Sequence, residues 1–354
     1  MTNNSGGKYR TVFLILGALF VIWKIAGLID QRNAPYSGYL TDGNNTIIRI
    51  DAGSPSERAG LKVGDYIRSI GGISVEDAAA FARRGRNTIG ETEAYVVDRR
   101  GATIPGAAGE VPASITANLT YASSPGRYVA LNYISSLIGF CFIICGLVAY
   151  FKIPSRSATL LAMTGLCLGV TFGGGPYFSS YFVRTLVSSI QLVLVVLGFG
   201  FLLHFMLNFP KPKALLNKRY ALKIIYGPAV LVALYLLLLI IIQPRATSGL
   251  NQASNILVGL FIVVYFGWAT IAMIHTYAKA TSQERFDYGL NMMLVGVIVG
   301  FLPITIAVLV GIFAPKLVLP GGDYYFLTMI LIPMALAWAV LHQRPAAKVA
   351  SAQA

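Results

Sequence analysis

The stretch Ser54-Pro55-Ser56-Glu57-Arg58-Ala59-Gly60-Leu61-Lys62-Val63-Gly64-Asp65-Tyr66-Ile67-Arg68-Ser69-Ile70-Gly71-Gly72-Ile73-Ser74-Val75 decides how the polar part of this chain folds. Gly53-Ser54-Pro55 reads as a turn, and Pro55, with its preset φ, opens a short helical turn through Glu57 and Arg58. Gly60 and Gly64 stand where the backbone turns tightly, and the Asp65 carboxylate is suited to accept backbone N–H bonds in that turn. Thr46-Ile47-Ile48-Arg49-Ile50 before the stretch and Glu93-Ala94-Tyr95-Val96-Val97 after it read as short strands. Glu76 to Arg84 reads as a helix that offers Ala79, Ala80 and Phe81 for packing. These elements predict one α+β module over 34–120, large enough for a single core of modest stability.

The rest of the chain is of a different kind. Over 354 residues it is 56% hydrophobic and 12% charged, with a mean hydropathy of +0.67, which excludes a soluble globular protein. Apolar runs at roughly 11–29, 128–151, 157–175, 185–209, 221–243, 254–277, 288–314 and 323–343 are each long enough to cross a hydrocarbon core of about 30 Å. The expected fold class is therefore an α-helical polytopic membrane protein of about eight transmembrane helices, with an extracytoplasmic α+β domain.

The net charge of +14 invites a nucleic-acid reading, but its position argues against one. With a cytoplasmic N-terminus, the inner segments hold Lys8, Arg10, Lys152, Arg156, Lys211, Lys213, Lys218, Arg219, Lys223, Lys279, Arg285, Arg344 and Lys348. The short outer loops hold Arg184, Arg245 and Lys316. This asymmetry follows the positive-inside rule. The expected order is a cytoplasmic N-terminus (1–10), a signal anchor (11–29), the extracytoplasmic module (34–120), a seven-helix membrane domain (128–343) and a short cytoplasmic tail (344–354). The first apolar segment is long for a signal-peptide core, contains Lys24 and lacks a small-x-small cleavage site, so an uncleaved anchor is expected. Cys141, Cys145 and Cys167 all fall within apolar runs, so no disulfide framework holds the module. Cys141 and Cys145 share a helix face and read as packing residues, with a redox or metal pair as the alternative.

The 54–75 stretch resembles the middle of a bacterial PDZ domain, whose pattern is SPAxxAGLxxGDxIxxINGxxV; Pro55, Ala59, Gly60, Leu61, Gly64, Asp65 and Ile67 carry the match. The resemblance implies a groove between one strand and one helix that takes an extended peptide or protein C-terminus as an added strand. It also implies a Φ-Gly-Φ loop at the end of that groove. The candidate loop is Tyr36-Ser37-Gly38-Tyr39-Leu40, in which Ser37 departs from the pattern. The groove helix is 76–86, with Phe81 and Arg84 as candidate contacts. Arg83-Arg84-Gly85-Arg86 reads either as a solvated face or as an attractor for an acidic ligand or lipid headgroups.

No catalytic constellation is visible in the apolar part. After Glu110 the acids are Glu284, Asp287 and Asp323, all in loops or at helix ends. His204, His275 and His342 stand alone with no HExxH, which removes an intramembrane metalloprotease. Ser135, Ser136, Ser188 and Ser189 lack a Gly-x-Ser context, and no Asp or Glu lies mid-helix for ion-coupled transport. We expect no enzyme, no metal and no cofactor. Helix packing is better represented. Gly165, Gly169 and Gly173 form a stripe, Gly296 and Gly300 repeat its spacing, and Pro228, Pro303 and Pro333 fall within helices.

Leu202-Leu203-His204-Phe205-Met206-Leu207-Asn208-Phe209-Pro210, Gln283-Glu284-Arg285, Gly300-Phe301-Leu302-Pro303 and Leu331-Ile332-Pro333-Met334 resemble segments of the membrane sensor region of ComP-like histidine kinases. The kinase portion has no counterpart in this sequence. His204 reads as a capping or packing residue at the interface, with pH sensing as the alternative, and the 210–219 run as a positive-inside anchor, with contact to anionic lipid or an acidic partner as the alternative. The expected function is signal reception in a bacterial inner membrane, with both termini cytoplasmic. A peptide would bind the module, the helices would respond, and the output would lie on a cytoplasmic signalling partner. The remaining partners are the lipid bilayer and, in a homodimer, a second copy. The alternatives are a non-catalytic adaptor for a periplasmic protease or assembly, and a transporter or lipid-handling protein for a neutral substrate.

Overall fold

The computed structural model describes residues 9–42, 44–99, 113–242, 249–314, 317, 319 and 321–343. The expected tail at 344–354, most of the N-terminal segment, and Lys8, Glu110, Arg245, Lys316, Arg344 and Lys348 lie outside the described residues. The chain rises through α1 (Arg10–Gln31) into β1 (Pro35–Tyr36), β2 (Tyr39–Thr41) and β3 (Ile47–Ile50). Then come α2 (Pro55–Arg58), β4 (Tyr66–Ile70), β5 (Ile73–Ser74), α3 (Ala78–Arg83), β6 (Thr92–Arg99), β7 (Ala113–Thr120) and β8 (Ala122–Ser123). Strands β5-β4-β6-β7 form an antiparallel sheet, and β2-β3 form a separate hairpin. Ile47, Leu61, Ile67, Tyr95, Val97 and Leu119 fill the core between them.

The ends of the module are tied together. Pro35 pairs with Ser123 and Tyr36 with Ala122, so β1 and β8 bring the two connections to the helices side by side. From there α4 (Gly126–Lys152) descends against α1, followed by α5 (Arg156–Gly169), α6 (Tyr181–Asn208) and α7 (Ala221–Ile242). The chain finishes with α8 (Gly249–Lys279), α9 (Ser282–Asp287), α10 (Leu290–Phe313), a 3-10 segment at Gly322–Ile330, and α11 (Leu331–Leu341).

Among the described residues, seven stretches are long and apolar enough to cross a membrane: α1, α4, α6, α7, Ile256–Lys279, Leu290–Gly311 and Tyr324–Leu341. Their outward faces stay apolar, as at Ile22, Leu231 and Ile271. This is the pattern of a chain solvated by lipid. The eighth expected run, 157–175, is different. Helix α5 stops after 14 residues, about 21 Å at 1.5 Å per residue. Gly173 and Gly174 then take φ of +73° and +66°, which no regular helix allows. The irregular stretch is partly exposed and packs on α1 and α4 through Gly175 and Gly173. A Cβ on Gly27 would lie 2.9 Å from Gly175 Cα.

Close backbone contacts explain the glycines of α5. Gly165 lies against the Phe142 carbonyl of α4, and a Cβ on Gly169 would meet Gly139 O at 2.7 Å. Gly173 lies beyond the end of α5 and packs on Ser136, so it extends the small-residue contact without belonging to the helix. On α10, Gly296 and Gly300 face Ala335 and Ile332 of α11. Pro228 and Pro303 sit inside α7 and α10, whereas Pro333 falls in the first turn of α11, where a missing N–H is tolerated.

Candidate functional site

The loop before β2 is shaped by Gly38. Its φ is +85°, and a Cβ there would overlap the Ser54 side chain, so no other residue fits without displacing the cap of α2. Ser54 caps α2 by accepting from Glu57 N at 3.3 Å, while Ser56 N and Oγ donate to Ser37 O at 3.0 and 2.7 Å. These bonds hold the 36–40 loop on α2. Tyr39 opposes Ile50, and Asp51 N donates to Gly38 O at 2.9 Å. Tyr39 is therefore of the non-hydrogen-bonded antiparallel type, with its own N–H and C=O turned away from β3. Among the described residues no strand pairs with that edge. Leu40, on the opposite face from Tyr39, is exposed.

Asp65 is the buried centre of the 54–75 turn. It accepts from Lys62 N at 2.8 Å, as the sequence suggests, and also from Arg99 Nε and Nη2 at 2.8 and 2.7 Å. Arg99, at the end of β6, reaches back to Gly60 O at 2.8 Å and locks the turn to the sheet. Gly60 and Gly64 have φ of +79° and +94°. Leu61 and Ile67 are core residues, Ala59 packs against them, and Pro55 is buried at the start of α2.

The groove helix α3 is capped by the Asp77 side chain on Ala80 N, and none of its residues is fully buried. Phe81 packs against the core that Tyr39 borders. Arg84, a candidate ligand contact, points inward instead. It is ion-paired with Glu93, bonded to Asn87 Oδ1 at 2.8 Å, and stacked over Phe81 at 5.7 Å. Glu93 also accepts from Tyr121, whose hydroxyl lies 2.6 Å from that of Tyr95. Burial pushes the Tyr121 hydroxyl up to about 12, so it stays a donor at neutral pH.

Tyr36 does not face the groove either. Its hydroxyl and that of Tyr128, at the start of α4, both donate to Asp51. Arg127 pairs with the same carboxylate at 3.0 Å. Partial burial pushes the Asp51 carboxyl up, but the Tyr128 and Tyr36 bonds and the Arg127 charge outweigh it and hold the group below its ordinary value. A carboxyl depressed on folding contributes stability that is complete above its unfolded value of about 3.9 and is lost as pH falls through its folded value. Protection of the β1–β8 amides against hydrogen exchange, corrected for intrinsic rates, should stay flat from neutrality to about pH 5 and fall below about pH 4. Asp51→Asn should remove that acid step; an unchanged step would assign it to another group.

Against this geometry, the 46–99 segment matches the family model described as PDZ domain. Residues 46–99 form a PDZ domain. The match runs from β3 to the end of β6, so the 36–40 loop and β2 lie just before it. No curated protein and no solved structure matches the chain. The resemblance of the helical part to ComP-like kinases therefore has no support from these comparisons.

The PDZ domain meets the helices at a junction that sequence reading missed. Arg184, near the start of α6, donates from Nη2 to Ala82 O at 2.8 Å and Arg84 O at 2.9 Å, the carbonyls at the C-terminal end of α3. Arg86 pairs with Asp30 of α1 at 2.6 Å. Of the basic cluster, only Arg83 is left on the exposed face. Arg184 had counted only as an outer-loop charge, because nothing in the sequence pairs positions 102 and 100 residues apart.

Lys24 lies mid-helix in α1, wholly buried beside Gly139, and its Nζ has no hydrogen-bond partner among the described residues. Ser136 Oγ on α4 is likewise buried and unpartnered among them. At the far end of the helices, His204 is buried between Tyr226 (3.0 Å) and Arg156 (3.4 Å), and Lys211 pairs with Glu284 at 2.7 Å.

Proposed function

We propose that this protein is a membrane-anchored, non-enzymatic peptide reader. An extended peptide or protein C-terminus adds to the β2 edge of the PDZ domain, and its occupancy is passed to the helices. The outward N–H and C=O of Tyr39 carry the first half of this reading, since strand addition needs an unpaired edge. The Arg184 bonds to the end of α3 carry the second half. In the proposed topology the PDZ domain is extracytoplasmic in a bacterial inner membrane, with both termini inside. The position of Lys211, Lys213, Lys218 and Arg219 beyond the far end of α6 supports it. Output then falls to a separate cytoplasmic partner.

The test uses the full chain in lipid nanodiscs and a C-terminal peptide library. Binders are expected, and N-methylation of the peptide amides that face β2 should weaken them about tenfold or more, because it deletes backbone hydrogen bonds. A library without binders, or binders indifferent to N-methylation, would remove the groove reading. Peptide should also slow hydrogen exchange in the first turns of α6. If protection is confined to the PDZ domain, the helices only anchor an adaptor.

A further inference from the structure

A cavity of about 320 Å³ lies at the junction, bounded by α1, the start of α6, Arg86 and the segment Gly175–Phe178. Its size is at the lower end of the range for small-ligand pockets. Two guanidiniums, Arg86 and Arg184, lie over the Tyr177 ring at 5.0 and 5.1 Å, yet the cavity holds one carboxylate, Asp30, which Arg86 already neutralises. The partners of Arg184 are neutral oxygens: the Tyr177 hydroxyl and the carbonyls of Ala82, Arg84, Phe178 and Ser179. Among the described residues no acid pairs with it.

The site therefore presents an uncompensated positive charge. That charge suits the oxygens of a phosphate, which a guanidinium holds by charge-assisted hydrogen bonds. Depth selects the source. The cavity lies where α1 and α6 meet the PDZ domain, and the neighbouring Ile29 and Phe182 are 63% and 73% exposed, as for side chains that face acyl chains.

We propose that this cavity holds the headgroup of one anionic glycerophospholipid, with its acyl chains along the outer faces of α1 and α6. The inference does not depend on peptide binding, and its test needs no peptide. The delipidated full chain is titrated in detergent with phosphatidylglycerol or phosphatidylcholine, and bound lipid is counted by native mass spectrometry. One phosphatidylglycerol should be held about tenfold or more tightly than phosphatidylcholine, the expected effect of charge-assisted hydrogen bonds.

Arg184→Gln should abolish the preference. Ser188→Trp, which fills the cavity without changing charge, should do the same, and so guards against a folding defect in the first variant. Lys223→Gln, on the distant α7, should keep the preference. Equal affinity for the two lipids in the wild type, or an undiminished preference in Ser188→Trp, would overturn the proposal. Displacement of the lipid by an equal concentration of inorganic phosphate would also overturn it, by showing that the site takes phosphate from water.

Discussion

Gly165→Ala is expected to destabilise the helical body by about 2–3 kcal/mol, although alanine is the better helix former by about 1 kcal/mol. The added Cβ would overlap the Phe142 carbonyl oxygen of α4. That atom belongs to backbone and has no rotamer into which it can retreat. Relief requires α4 and α5 to separate, and the Gly146 side of the seam is also tight: a Cβ there would lie 2.8 Å from Leu161 O. Gly267→Ala on α8 meets nothing within 4 Å and should be neutral or stabilising by up to about 1 kcal/mol. Thermal unfolding of the two full-length variants in the same nanodiscs gives the comparison. Equal midpoints would mean that the α4–α5 seam contributes nothing to stability.

Asp65→Ala is the second large effect, at about 3 kcal/mol from the PDZ domain. The substitution leaves Lys62 N–H and the Arg99 guanidinium without the carboxylate they share, while Arg99 keeps its bond to Gly60 O and some access to water. Breaking a fully sequestered pair costs about 3–5 kcal/mol, so the lower end of that range applies. Asp65→Asn retains an acceptor for Lys62 N and should cost about half as much. Hydrogen exchange of the β4 and β6 amides in the full chain reads both values. A loss confined to the 60–65 turn, with β6 unaffected, would show that Arg99 does not lock the turn to the sheet.

The legible parts of the molecule are those governed by short-range rules. Pro55 after Ser54 marks the start of α2, and Gly60 and Gly64 mark positions of positive φ. The 54–75 pattern identifies the PDZ domain because its residues are close in sequence and each answers a local demand of the backbone. Apolar runs reveal the spans for the same reason, since length and hydropathy are local properties. The run 157–175 satisfies both criteria, yet the structure gives it only a 14-residue helix. Its glycines end α5 early, because packing against α1 and α4 rewards an irregular turn there over another helical turn.

The candidate site divides along the same line. Gly38 and Tyr39 could be placed in the loop from sequence, but not the non-hydrogen-bonded register that turns Tyr39 outward, which depends on β3. The PDZ resemblance implied groove positions for Tyr36 and Arg84. The fold turns both away, Tyr36 to Asp51 and Arg84 to Glu93, because a half-buried hydroxyl or guanidinium is held by the nearest carboxylate.

Sequence by itself therefore determined that a PDZ domain lies between one apolar helix and a longer set of them, since each is written in contiguous residues. Tertiary structure alone decided how the two are joined. Arg184 bonds Ala82 and Arg84, and Asp30 bonds Arg86, across separations of 56 to 102 residues. Such pairs form only when folding brings distant segments into contact, so no local pattern along the chain records them.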